Sequence, residues 1–186
     1  MVRMARAQEA DMVKLICGMI SARAEFFDMA AEALAEAFGP VDLASETWPF
    51  DMTDYYEPQM GPRLLRRFVS FAEPFSPAAL AEAKLRTNAI EADFASRRGA
   101  ADPPRPINLD PGYVAPSKLV LASMKDFSHR IYLRDGVYAE VTLLYRKGLW
   151  EALEWTFPDF ASGRYDTFLT GARGSLGAKA SKESPS

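Results

Sequence analysis

The stretch Ser128-His-Arg-Ile-Tyr-Leu-Arg-Asp-Gly-Val-Tyr-Ala-Glu-Val-Thr-Leu-Leu-Tyr-Arg146 holds two alternating runs around Arg134-Asp135-Gly136. Alternation with period two marks half-buried strands, and Asp-Gly between them marks a hairpin turn. Two registers are open. A two-residue loop pairs Arg134 with Val137 and mixes Ile131, Leu133, Tyr138 and Glu140 on one face. A three-residue loop, with Gly136 left-handed in a bulge, pairs Leu133 with Val137. It gathers Ile131, Leu133, Val137, Ala139, Val141 and Leu143 on one face, and Arg130, Tyr132, Tyr138, Glu140 and Thr142 on the other. A slip of one residue flips every side chain, and only the second register separates apolar from polar. The second is therefore expected. It sets Arg130 opposite Glu140, either as an ion pair on a solvated face or as a shallow polar floor for a ligand. His129 falls at the edge of the apolar face, where a lone histidine serves the core more often than catalysis.

Upstream, Ser117 to Asp126 is open between helix and strand, with helix the preferred reading. Asp110-Pro111-Gly112-Tyr113 fits a type II turn after a short strand at Ile107 to Leu109. Ser76-Pro77 opens a helix to about Phe94, with serine as cap and proline in the first turn. Its inner stripe is Leu80, Ala83, Thr87, Ile90 and Phe94, with Lys84, Asn88 and Glu91 together along the edge. Leu64 to Phe71 reads as a strand. So does Val41 to Phe50, which runs into a loop of acids, aromatics and turn formers from Asp51 to Pro62. Ala24 to Phe38 is a helix with Phe27, Ala30, Leu34 and Phe38 inward and Glu25, Asp28, Glu32 and Glu36 on a solvated face. Val13 to Ile20 has the length and apolarity of a strand buried on both faces, with Cys17 as a small buried hydrophobe.

This order predicts an α+β fold: a ferredoxin-like split βαβ-type antiparallel sheet with an added C-terminal β-hairpin. One domain is expected over 12–172, with a flexible N-terminus at 1–11 and a disordered tail at 173–186.

Composition narrows the function. The 186 residues are 48% hydrophobic and 25% charged, with a net charge of −3, which argues against a nucleic-acid partner. One cysteine and one histidine exclude an internal disulfide and a histidine- or thiolate-rich zinc site. Neither a membrane-length apolar run nor a signal-peptide pattern is present, so a cytoplasmic location is expected, without a membrane partner. No phosphate-cradling P-loop, guanine-reading motif, dinucleotide fingerprint or nucleophile elbow occurs. Any site must use dispersed groups: the acids Asp51, Asp54, Asp110 and Glu140, and the cations Lys84, Lys118, Lys125 and Arg130. These acids would suit a hard cation such as Mg²⁺ better than zinc, though no metal-binding spacing is present.

Four stretches carry a resemblance. They are Phe50-Asp-Met-Thr-Asp-Tyr-Tyr-Glu57 with Met60-Gly61; Lys84-Leu-Arg-Thr-Asn88; Ile107-Asn-Leu-Asp-Pro-Gly-Tyr113 with Lys118-Leu-Val-Leu-Ala-Ser123; and His129-Arg-Ile-Tyr-Leu133 with Tyr138-Ala-Glu-Val-Thr-Leu143. Trp155-Thr-Phe-Pro-Asp159 continues the pattern. Together they resemble a prokaryotic family known as domain of unknown function 4416, over roughly residues 12–172. Members are often labelled "GTP-binding protein". The resemblance implies a stand-alone domain without an assigned reaction. Its matching stretches include Asp51, Asp54, Tyr55, Lys84, Asn88, Asn108, Asp110, His129, Arg130 and Glu140, which, with Lys125 between two of the stretches, become the candidate ligand-binding residues.

The leading expectation is a domain that binds a small polar or phosphorylated molecule, with catalysis left open. The rival is a non-catalytic partner-binding or oligomeric module, suggested by Tyr55, Tyr56, Tyr132 and Tyr138.

Overall fold

The computed structural model of the chain describes residues 7–180. The first half runs β1 (Val13–Ser21), α1 (Glu25–Phe38), β2 (Val41–Ala44), β3 (Trp48–Pro49), α2 (Glu57–Met60), β4 (Leu65–Phe75) and α3 (Leu80–Arg97). The second runs β5 (Asn108–Ala115), β6 (Lys118–Ser123), β7 (Ile131–Arg134), β8 (Val137–Arg146), β9 (Leu149–Ala152), α4 (Pro158–Ala161) and α5 (Asp166–Ala180).

Every residue of β1 is buried, as its continuous apolarity requires. Both of its edges are paired and both of its faces are covered. The sheet order is β2-β4-β1-β5-β6-β8-β7, with β3 added to β4 and β9 to β8, and every pairing among these strands is antiparallel. The fold is thus α+β with an open sheet. Side chains alternate along β1. Leu15, Cys17 and Met19 pack with Phe27 and Leu34 of α1 and Ala83 of α3. Ile16 packs on the other face with Phe160 of α4 and Phe168 and Leu169 of α5.

The order of elements follows the expectation up to Arg97, with two differences. The loop expected from Asp51 to Pro62 holds the short helix α2. The expected strand from Val41 to Phe50 is two short pieces, β2 and β3, both pairing β4. The proposed turn at Asp110 to Tyr113 lies inside β5. Proline offers no N–H to a ladder, and Pro111 pairs only with Cys17 of β1, one position before β6 begins to pair at Gly112. Gly112 is required by that approach: a Cβ there would collide with the Val120 carbonyl oxygen and the Leu121 side chain. The stretch from Ser117 is a strand, not a helix. The run Leu-Val-Leu-Ala is buried on both faces between β5 and β8, and a short apolar run carries no period that separates the two states.

The hairpin uses both registers. At the tip Arg134 pairs with Val137 around Asp135 and Gly136, both at positive φ. Leu133 is then left over as a bulge, and from Tyr132 outward the three-residue register holds, with Tyr132 opposite Tyr138 and Ile131 opposite Ala139. The expected apolar face does not survive. A second irregularity leaves Thr142 unpaired between Val141 and Leu143, so Val137 packs beside Leu80 while Leu143 packs beside Phe168 on the opposite face. Glu140 and Thr142 are buried, and Ile131 and Leu133 are exposed.

Part of the segment expected as a disordered tail lies in the last helix. α5 continues through residues 173–180. Its first turns are held by Phe168, Leu169 and Ala172, so the costly nucleus exists and the helix propagates from it. Arg173 closes the contact, donating to the Pro116 carbonyl at 2.8 Å and covering the Tyr145 ring. Residues 1–6 and 181–186, parts of the two terminal segments, lie outside the described residues.

Candidate functional site

β5 and β6 pair only over Gly112–Ala115 and Lys118–Leu121. Before Gly112, β5 stays with β1; after Leu121, β6 stays with β8. The sheet parts there, and a cleft of about 720 Å³ opens. Tyr55, Lys84, Asn88, Asn108, Asp110, Lys125, Arg130 and Glu140 all line it.

Lys84, on α3, has its ammonium buried, donating to the Leu109 carbonyl at 2.8 Å and to Asp110 Oδ1 at 3.4 Å. Asn108 donates to Asp110 Oδ2 at 2.6 Å and accepts from Arg105. Burial opposes the Asp110 charge, but Lys84, Arg66 and the Asn108 amide outweigh it and hold its pKa below the ordinary 3.8. Behind Arg105 sits Glu91, which accepts from Arg105 Nη2 and from the Leu109 N–H, both at 2.7 Å. Burial dominates there and pushes the Glu91 pKa up.

On the β8 side Glu140 gathers three donors: Arg130 Nε at 2.7 Å, His129 Nε2 at 3.1 Å and Thr142 Oγ1 at 3.2 Å. His129 therefore supports the cleft from behind, its ring stacked on Trp155 at 5.2 Å. Arg130 Nη1 also donates to the Lys125 carbonyl at 2.9 Å. Across the mouth, the Lys125 ammonium donates to the Tyr55 hydroxyl and lies 4.2 Å from its ring. That bond lowers the Tyr55 pKa.

Three candidates lie elsewhere. Asp51 pairs with Arg164 Nη1 at 2.9 Å on the surface. Asp54 is exposed and accepts the Glu57 N–H only through its backbone carbonyl. Lys118 sits at the far end of β6.

The sequence reading missed one buried charged group. Arg66, on β4, is 3% exposed and lines the cleft. Its guanidinium lies among the rings of Phe68 at 4.8 Å, Phe160 at 5.3 Å and Phe50 at 5.5 Å. It donates no hydrogen bond to any described residue, and its Nε is wholly buried without a partner. Asp159 Oδ2 stands off at 3.9 Å and accepts from the Tyr165 hydroxyl at 3.1 Å. Burial disfavours the arginine's charge, yet Asp159 and Tyr165 hold its pKa above the ordinary value. Gly18 makes the space: a Cβ there would stand 2.9 Å from Arg66 Nη2. The signal was an arginine in phase with Phe68 and Ser70 on a buried strand face.

Among the described residues, no group of three His, Cys, Asp or Glu side chains is placed to hold a metal ion, and no helix is long and apolar enough to cross a membrane. No curated protein and no solved structure gives a significant match. The family model described as Domain of unknown function (DUF4416) matches residues 11–175, and the chain belongs to that family.

Proposed function

We propose that the protein binds a small polar or phosphorylated molecule in the cleft where β5 and β6 part. The observation that carries this reading is Arg66, a buried guanidinium whose Nε has no hydrogen-bond partner among the described residues and whose counter-charge, Asp159, stands off at 3.9 Å. Leaving a buried charged donor unpaired is costly, and a ligand with acceptor oxygens removes the cost. The cleft has the size of a small-molecule site, with aromatic walls and a few convergent polar groups. The finer fold reading goes with it: a ferredoxin-like core is supported by the order β2-β4-β1-β5, with α1 and α3 in the crossovers.

The test is a thermal-shift screen of phosphorylated and carboxylated small molecules against the wild type and Arg66→Met. A ligand at a hundred times its Kd stabilises by about 2.7 kcal/mol. Shifts seen in the wild type and absent from Arg66→Met support the reading; shifts that survive the substitution, or no shift at all, overturn it.

A second reading, an oligomeric module, is favoured by β7. Each of its residues is exposed, Ile131 at 70%, and its outer edge pairs with no described strand. Such an edge is a template for another strand. Sedimentation of the wild type against Ile131→Lys decides it: a monomer in both discards the reading.

A further inference from the structure

We propose that the ligand of this cleft is a singly charged carboxylate carried on a flat ring, an inference that rests on the binding reading above. The head group follows from the pairing of charges. Every other lysine and arginine on the walls already donates to a carboxylate, phenol or carbonyl of this chain. Arg66 alone does not, so one guanidinium is open to one acceptor group. The planar fork of a guanidinium matches the two oxygens of a carboxylate. A second negative charge is disfavoured, because Asp159 already stands 3.9 Å from Arg66 and the Asp110 carboxylate is held ionised nearby.

The remainder of the ligand follows from size and lining. At about 720 Å³ the cleft is far larger than a carboxylate. Three aromatic side chains from three separate loops line it and stay exposed: Tyr55 is 60% exposed, Phe127 64% and Phe157 46%. Exposed aromatics gathered on the wall of one cleft provide stacking surfaces, and a flat ring gains more from them than a puckered one of equal area.

Calorimetry with three probes tests this: naphthoate, its saturated counterpart decalin carboxylate, and naphthyl phosphate, which is doubly charged at neutral pH. Naphthoate is expected to bind at least about tenfold tighter than either, the scale of one stacking contact. Replacing Phe127 and Phe157 together by leucine keeps apolar area and removes the rings. The advantage over the saturated acid then disappears while carboxylate binding persists. Equal binding of the saturated acid overturns the ring, and equal or tighter binding of the phosphate overturns the single charge. If all three bind alike and are lost in Arg66→Met, the inference falls while the binding reading stands. If none binds the wild type, the inference falls, and the broader screen judges the binding reading separately.

Discussion

Arg130 and Glu140 meet across β7 and β8, with Nε 2.7 Å from Oε2 and side-chain exposures of only 10% and 2%. A pair so withdrawn from water behaves unlike a surface ion pair. Removing the arginine leaves a buried carboxylate with weaker partners, so Arg130→Ala is expected to cost about 3 kcal/mol or more. The double variant with Glu140→Gln recovers much of that cost, giving strong coupling in urea denaturation of the four-member cycle. A cost under about 1 kcal/mol with no coupling would place the pair among ordinary surface bridges.

Arg66 is held by charge without hydrogen bonds. It is buried, and its counter-charge, Asp159, stands 3.9 Å away and is buried too. Arg66→Met fills similar volume among Phe50, Phe68 and Phe160 but strands the Asp159 carboxylate, and it is expected to lower the melting temperature. The double variant with Asp159→Asn is expected to recover much of that loss. An unchanged melting temperature in Arg66→Met would show that the pair adds nothing to the fold.

The two floor glycines separate packing from site. Gly112→Ala drives a methyl into the Val120 backbone and is expected to cost roughly 2–3 kcal/mol. Gly18→Ala presses mainly on the ends of Arg66 and Phe68, side chains that can move. It is expected to cost about 1 kcal/mol and to weaken ligand-induced stabilisation by displacing the guanidinium. Equal melting losses in the two variants would contradict this division.

Asp110 titrates below its ordinary 3.8 in the folded chain. Between its folded and unfolded values the unfolded state binds more protons, so stability rises with pH there. The contribution is complete above the unfolded value and is lost as pH falls through the folded one. Asp110→Asn removes it, so denaturation curves collected down this acid range should show a shallower decline for the variant. Parallel declines would mean that Asp110 gains nothing from Lys84 and Asn108.

At the mouth, the Lys125 ammonium on the Tyr55 hydroxyl lowers the phenol's pKa. Following tyrosinate absorbance through an alkaline titration, the earliest-ionising tyrosine of the wild type is expected to move upward in Lys125→Gln. An unchanged curve would mean that the contact does not persist in solution.

The sequence by itself determined what each local segment shows to its neighbours. The period of Phe27, Ala30 and Leu34 makes α1 one-sided, and the apolar run of β1 needs cover on both faces. The alternation around Asp135-Gly136 was enough to set Arg130 against Glu140. The family stretches brought forward most of the residues that line the cleft. Periodicity is a local property, however, and it runs out where segments are short or where two registers are nearly equal. Residues 117–126 became a strand only because β5 and β8 were there to pair with them. Leu133 fell out of register where the hairpin tip pairs differently from its stem, and Thr142 where β8 bulges against β6. The cleft is wholly tertiary. Lys84 meets Asp110 from another element, 26 residues away, and Arg66 acquires its meaning only from the glycine beneath it and the rings around it. Burial without a partner belongs to the assembled fold, because only packing decides which polar groups water can no longer reach.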